Sequence, residues 1–141
     1  RQAPPIMVHM ESLTETSGYS LSLSEDGRLV ICRVLQPVTV ELAVAFAQDM
    51  DRLAAESGAD RFLTDARGAP NVSRPAQNYN YAHVDMAAMG LRRCVRAAIL
   101  ADPWDRSHEF VETTCQNAGY NMRVFYNEDE AMDWLRDDAR R

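Results

Sequence analysis

Polar side chains suited to acid–base chemistry are concentrated in residues 102–109, Asp-Pro-Trp-Asp-Arg-Ser-His-Glu. This stretch follows an apolar run, Arg96 to Ala101, which has the composition of a strand covered on both faces. Asp65 and Arg67 follow a second short apolar run. Ligands of open α/β sheets bind outside the carboxyl ends of the strands, so we expect these side chains to meet there. We define this rim as Asp65, Arg67, Asp102, Trp104, Asp105 and His108.

The rim has two interpretations. Its carboxylates and imidazole are groups used in general acid–base catalysis. Alternatively, Asp105 or Ser107 caps the following helix and Asp102 pairs with an arginine, since helix starts favour such side chains on electrostatic grounds. The second interpretation is favoured because no spacing fixes a nucleophile beside a base. We therefore expect no catalytic residues.

Other chemistries lack residues that they need. All 15 basic residues are arginine, which excludes Schiff-base and P-loop lysine chemistry. The segment from His108 to Glu112 has a glutamate where a zinc-protease helix carries its second histidine, so no metal site is expected. Cys115 lies two helical turns from His108, too far along the axis for activation as a nucleophile. No motif indicates a cofactor.

A second candidate site is apolar. Tyr79, Tyr81, Met86 and Met89 lie in a predicted helix from about Pro75 to Met89. Tyrosine and methionine on a helix face usually pack in the core. The alternatives are an adaptable pocket for a small apolar ligand and a contact between the subunits of a homodimer.

Periodicity predicts the elements that position these sites. Tyr19, Leu21 and Leu23 alternate with serines, and Asp26-Gly27 signals a tight turn, so the chain begins with a hairpin. A helix capped by Thr39 and Gly58 should bury Phe46 and Leu53, and Asn127 should cap the last helix. Further strands are expected at residues 61–65, 96–101 and 122–125, and a further helix at 107–118.

Strands that alternate with crossover helices imply a mainly parallel sheet with right-handed connections. The predicted fold is therefore one α/β domain over residues 18–138, with an N-terminal antiparallel hairpin. Residues 1–17 are expected to be a poorly ordered or edge-strand extension.

Composition limits the compartment and the partners. The chain has 141 residues, a net charge of −6 and a pI near 5.0, which argues against a general nucleic-acid partner. Its longest apolar stretches are too short to cross a bilayer. Three scattered cysteines without a C-x-x-C pair predict a reduced, disulfide-free cytoplasmic protein. Whether a leader was removed before Arg1 stays open.

Several motifs resemble the STAS superfamily (sulfate transporter and anti-sigma factor antagonist), and most closely its bacterial SpoIIAA-like members. They are Gly27-Arg28-Leu29-Val30, the strand from Arg61 to Asp65, the segment from Ala98 to Asp102, and the closing segment from Phe125 to Leu135. The resemblance implies a non-catalytic regulatory module that binds proteins or small ligands.

One motif of this superfamily is missing. Its anti-sigma antagonists carry a phosphorylatable serine in an Asp-Ser-Ser-Gly-like turn, whereas the comparable residues 65–75 contain only Ser73. We interpret Ser73 as the N-cap before Pro75. A phosphorylation site at the helix start is the alternative.

Three functions therefore remain open: a regulatory or protein-interaction module, a carrier or sensor of a small apolar, lipid-like ligand between helix and sheet, and an enzyme that uses the rim from Asp102 to Glu109. A cavity lined by Tyr79, Tyr81, Met86 and Met89 would favour the carrier. A solid core with an exposed apolar patch would favour the interaction module. Convergence of Asp65, Asp102 and His108 on a cleft would favour the enzyme.

Overall fold

The structure is a computed structural model that describes residues 18–93 and 95–137 and the backbone of Val8–His9. Strands and helices alternate along these residues. The strands are β1 (Val8–His9), β2 (Tyr19–Ser24), β3 (Leu29–Val34), β4 (Arg61–Asp65), β5 (Arg96–Leu100) and β6 (Met122–Phe125). The helices are α1 (Val40–Ser57), α2 (Pro75–Asn80), a π-helical turn (Tyr81–Asp85), α3 (Met86–Ala88), α4 (Glu109–Asn117) and α5 (Glu128–Arg136).

The strands form one mixed sheet in the order β1-β2-β3-β4-β5-β6. Strands β2 and β3 form the predicted antiparallel hairpin, and β3 to β6 are all parallel. The short β1 pairs with β2 at the sheet edge, while the rest of the predicted extension, residues 1–7 and 10–17, lies outside the described residues. The predicted α/β class with a mainly parallel sheet is confirmed.

The two faces of the sheet are covered differently. On one face, α1, the π turn and α4 pack on β2 to β6, with Phe46 and Val111 in the same core cluster as Val30. On the other face, α5 packs Ala131 and Leu135 against a second cluster. The three connections from β3 to β6 all step in one direction, so right-handed crossovers place their helices on the same face.

Three predicted helix boundaries are confirmed by their hydrogen bonds. The Thr39 hydroxyl oxygen accepts a hydrogen bond from the Leu42 amide at 3.1 Å, and the Asn127 side-chain oxygen accepts one from the Glu130 amide at 3.0 Å. Helix α1 ends at Gly58, whose φ of 82° is the left-handed conformation that favours glycine. These contacts fix where α1 and α5 begin and where α1 ends.

The predicted role of Ser73 is wrong. Proline occupies the first helical position of α2, so the N-cap is the residue before it, Arg74, whose amide donates to the Gln77 side-chain oxygen at 2.9 Å. The Ser73 amide instead donates to the Asn71 side-chain oxygen at 3.0 Å. Ser73 thus belongs to a turn before the helix.

The predicted helix over 75–89 is interrupted by the π turn. The Met86 amide donates to the Tyr81 carbonyl, five residues back instead of four. Helix α4 begins at Glu109, later than predicted, because turns occupy the residues before it. None of the described helices is long and apolar enough to cross a membrane.

Two cysteines are free and buried, Cys32 in β3 and Cys115 in α4. Burial raises the pKa of the Cys115 thiol to about 12 and that of the Cys32 thiol further. Both thiols therefore stay protonated at neutral pH. Cys94 lies outside the described residues.

Replacing Leu53 by alanine should test the assignment of the buried face of α1. Leu53 is buried in the larger core cluster, so Leu53→Ala should lower the free energy of unfolding by about 2–5 kcal/mol through lost burial and the cavity that it leaves. Urea unfolding gives the value. Gln48→Ala, at an exposed position of the same helix, is the control and should change it by less than about 0.5 kcal/mol. Equal losses in both variants would show that the face is misassigned.

Candidate functional site

The loops that follow β4 and β5 are joined by three hydrogen bonds. The Gly68 amide donates to an Asp102 carboxylate oxygen at 2.7 Å, and the Asn71 amide donates to the Ser107 hydroxyl at 2.8 Å. His108 Nε2 lies 3.1 Å from the Ala69 carbonyl oxygen. The two loops therefore meet at adjacent strand ends, and the side chains of Asp102, Ser107 and His108 hold them together. Asp65 and Arg67 take no part in these three contacts.

Several expected capping contacts are absent from this arrangement. Asp102 accepts from a backbone amide of the neighbouring loop and not from an arginine. The Asp105 carboxylate accepts from the Ser107 amide at 2.9 Å within a turn, and His108 occupies the N-cap position of α4. The end of one parallel strand lies beside the end of the next. A backbone amide of the adjacent loop therefore takes the place of the hydrogen-bond partner that was expected close by in sequence.

Asp65 and Arg67 form a second polar cluster at the end of β4. Arg67 donates to the two carboxylate oxygens of Asp65 from Nε at 2.9 Å and from Nη2 at 2.8 Å, and its Nη1 lies 3.3 Å from a Glu128 oxygen. The hydrogen bonds to Asp65 raise the pKa of Arg67. This pair joins the β4 loop to the start of α5, on the opposite side of the sheet from α4.

His108 is the most buried ionisable side chain of the rim, with 3% of its surface exposed. A carbonyl only accepts hydrogen bonds, so the neutral ring carries its proton on Nε2 and donates to Ala69. Burial lowers the pKa of His108, and the Asp105 carboxylate 3.6 Å from Nε2 opposes this shift without cancelling it. Trp104, by contrast, is 79% exposed.

A cavity of about 130 Å³ lies between the sheet and the three helical segments that cover one of its faces, α1, the π turn and α4. Phe46 of α1, Tyr81 of the π turn and Val111 of α4 line it from above, and Ile99 of β5 lines its floor. Residues that follow β4 and residues that precede β5 and β6 also line it, so the cavity extends along the strands. Alanines contribute part of the lining: Ala43, Ala47, Ala66 and Ala97.

The sequence-predicted apolar site is present in part. Tyr81 and Met86 line the cavity, whereas Met89 packs partly buried against the core. Tyr79 is 56% exposed and stacks on His83 with ring centroids 4.3 Å apart. Tyr79 and Tyr81 are two residues apart, and such residues do not share a face of a helix. Tyr79 therefore lies outside the cavity lining that Tyr81 joins, and so does Met89.

Polar side chains along the cavity differ in their hydrogen bonding. The buried Asn78 accepts from the Asn71 side chain at 3.2 Å, and His108 is bonded to Ala69. The Tyr120 hydroxyl is buried and has no hydrogen-bond partner among the described residues. Tyr120 also lines the cavity. Sequence reasoning missed it because a tyrosine between a helix-ending glycine and a strand carries no motif.

Two further predictions concern metal binding and Ser73. Among the described residues, no group of three or more His, Cys, Asp or Glu side chains is arranged to hold a metal ion. Ser73 lies on the cavity lining, half-buried, ahead of the six-residue helix α2. Its modification stays a prediction.

No protein-family model and no curated protein sequence matches this chain. The resemblance to the SpoIIAA-like proteins therefore stays a prediction that rests on the sequence motifs.

Acidification should reveal the structural role of His108. Its pKa is about 6.5 when unfolded and lower when folded. The unfolded chain therefore binds the proton more readily, and the free energy of unfolding should fall as the pH drops below about 6.5. Urea unfolding at about pH 7.5 and about pH 5.5 measures the change.

The His108→Gln variant provides the comparison, because its amide keeps a donor but does not titrate. It should lose less stability than the wild type over the same pH interval. Equal losses would show that His108 does not contribute to the acid sensitivity.

Proposed function

We propose that this protein binds a small, largely apolar molecule in the cavity between its crossover helices and its sheet, as a carrier or sensor. The observation that carries this proposal is the cavity itself, about 130 Å³ in volume and lined by the residues of the larger core cluster. Protein interiors are close-packed, and voids larger than a water molecule are few. An apolar protein cavity of roughly 150 Å³ is known to hold benzene.

Burial of apolar surface gives binding its driving force. The lining is largely apolar and the cavity is partly open to solvent. A bound molecule would therefore remove apolar surface of both partners from water, a transfer worth about 25 cal/mol for each Å² buried.

The lining favours an adaptable, apolar ligand. Met50 and Met86 contribute flexible, polarisable side chains that adjust to ligands of different shape. Phe46 and Phe62 add aromatic surface. The charged lining residues, Asp51 and Arg92, are half-buried and exposed, so they lie where the cavity approaches solvent.

The proposed binding activity fits the regulatory class that the STAS-like motifs imply. In this proposal the protein is a single cytoplasmic α/β domain that senses a ligand and passes its state to a partner protein. The exposed Trp104 supports a partner surface at the rim. The rim is assigned a positioning role because Asp102 and His108 are both used to hold neighbouring backbone.

Toluene is a suitable first probe, since it is apolar and close to the cavity in size. It should bind the wild type and raise the melting temperature progressively as its free concentration increases, because it binds only the folded state. Isothermal titration calorimetry gives the affinity. Ala47→Leu places extra carbons in the cavity from α1 and should weaken toluene binding by about tenfold or more.

Ala55→Leu is the matched control, an exposed position on the same helix. It should bind toluene as the wild type does. Absence of toluene binding by a folded wild type would contradict the proposal, and so would equal affinity in Ala47→Leu.

Protein interaction is the second candidate, favoured by the 79% exposure of Trp104. Native mass spectrometry of freshly purified protein separates the two candidates, since it reports bound small molecules and oligomeric state together. A dimer that Trp104→Ser converts to monomer, without a co-purified small molecule, would favour the interaction module. A monomer that carries a small molecule would favour the carrier.

A further inference from the structure

The Tyr120 side chain is fixed against the wall of the cavity. It is 6% exposed and follows Gly119, at the return of the chain from α4 to β6. The Arg93 guanidinium lies over its ring, 4.6 Å from the centroid, and the Arg93 Nε donates to the Ala118 carbonyl oxygen at 3.0 Å. The ring is therefore held from one side by a side chain that is itself anchored.

The Tyr120 hydroxyl differs from the other buried polar groups of the lining. Asn78 and His108 have partners, whereas the Tyr120 hydroxyl has none among the described residues. Buried polar groups are almost always hydrogen-bonded, and leaving one unpaired costs free energy. The oxygen has almost no accessible surface, so a ligand group pairs with it once the side chains that cover it shift slightly, and that pairing would remove the cost on binding.

We infer that the cavity ligand carries an uncharged oxygen group, of the phenol, alcohol or ketone class, which hydrogen-bonds to the Tyr120 hydroxyl. This inference rests on the proposed function and adds the chemistry by which the ligand is oriented. A hydroxyl donates one hydrogen bond and accepts others, so it pairs with either a carbonyl or a hydroxyl of the ligand. The remaining ligand surface contacts apolar lining.

The buried setting favours an uncharged group over a carboxylate. Moving an ion out of water is costly unless an opposite charge pairs with it. The positively charged lining residue Arg92 is exposed, and Asn78 and His108 are already engaged. The Arg93 guanidinium lies over the face of the Tyr120 ring and bonds to Ala118, and Arg93 does not line the cavity. A neutral phenol or ketone loses far less hydration and needs only the one hydrogen bond.

Phenol and toluene make a matched pair of probes, because a hydroxyl replaces a methyl group of similar size. Their affinities would be measured by calorimetry for the wild type, Tyr120→Phe and the control Tyr79→Phe. Tyr79 is largely exposed and stacks on His83, so its hydroxyl lies away from the cavity lining. The quantity compared is the ratio of phenol affinity to toluene affinity.

In Tyr120→Phe the ratio should fall by about three- to tenfold, the value of one net hydrogen bond, while toluene affinity is unchanged. Tyr79→Phe should keep the wild-type ratio. Tyr120→Phe removes an unpaired buried hydroxyl, so it should also melt at or above the wild-type temperature without ligand.

An unchanged ratio in Tyr120→Phe would overturn the inference while leaving toluene binding, and hence the proposed function, intact. That is also the outcome if a water molecule alone satisfies the hydroxyl. If the wild type binds neither probe, both proposals fail. Should Tyr120→Phe not fold, the assigned tyrosine ring-carbon resonance of Tyr120 in the wild type decides: it should shift with phenol and not with toluene.

Discussion

Parallel pairing of β3 to β6 in sequential order is the constraint on which the rest of the structure depends. Val30 lies opposite Phe62, and each later strand is added on the same side. Right-handed crossovers then require the three intervening helical segments to share one face of the sheet. Within residues 18–93 and 95–137, α5 alone covers the other face, where Leu135 is fully buried. In this part of the chain one face is covered by a single short helix, and the other by three segments that must fit side by side.

The cavity is a consequence of that fit. It lies where α1, the π turn and α4 all face the sheet, and part of its lining is alanine, which leaves space that a larger side chain would occupy. The π turn widens the helix at Tyr81, and Tyr81 forms part of the cavity wall. Such turns are rare and are found frequently at functional sites. On the opposite face, α5 packs closely against the sheet. The space beside Tyr81 is therefore a local property of the face that carries α1, the π turn and α4.

Sequence patterns predict the turns and helix caps, which depend on residues close together in the chain. They do not predict the contacts between loops that follow neighbouring strands. The hairpin at Gly27 and the cap at Thr39 follow from residues a few positions apart, and the structure confirms both. The rim residues do not form one cluster: Arg67 pairs with Asp65 and Glu128, whereas Asp102 accepts from the Gly68 amide. The second contact spans two loops, and no short motif encodes it. The unpaired Tyr120 hydroxyl is less predictable still, because it depends on the surroundings that three separate elements create. The position of Tyr79 outside the pocket follows from helix geometry, because residues two apart, such as Tyr79 and Tyr81, do not share a face.

The rim and the cavity are connected through the side chains that they share. His108 lines the cavity and holds the Ala69 carbonyl, and Asn71 lines it while its amide donates to Ser107. Under the proposed function, a molecule in the cavity would therefore contact groups that also fix the loops after β4 and β5. If a ligand binds more tightly to one arrangement of these loops, that arrangement in turn raises the affinity for the ligand, since coupling between two equilibria is reciprocal. In the proposed sensor no separate transmitting element is needed, because His108 both lines the cavity and bonds to the Ala69 carbonyl of the loop after β4.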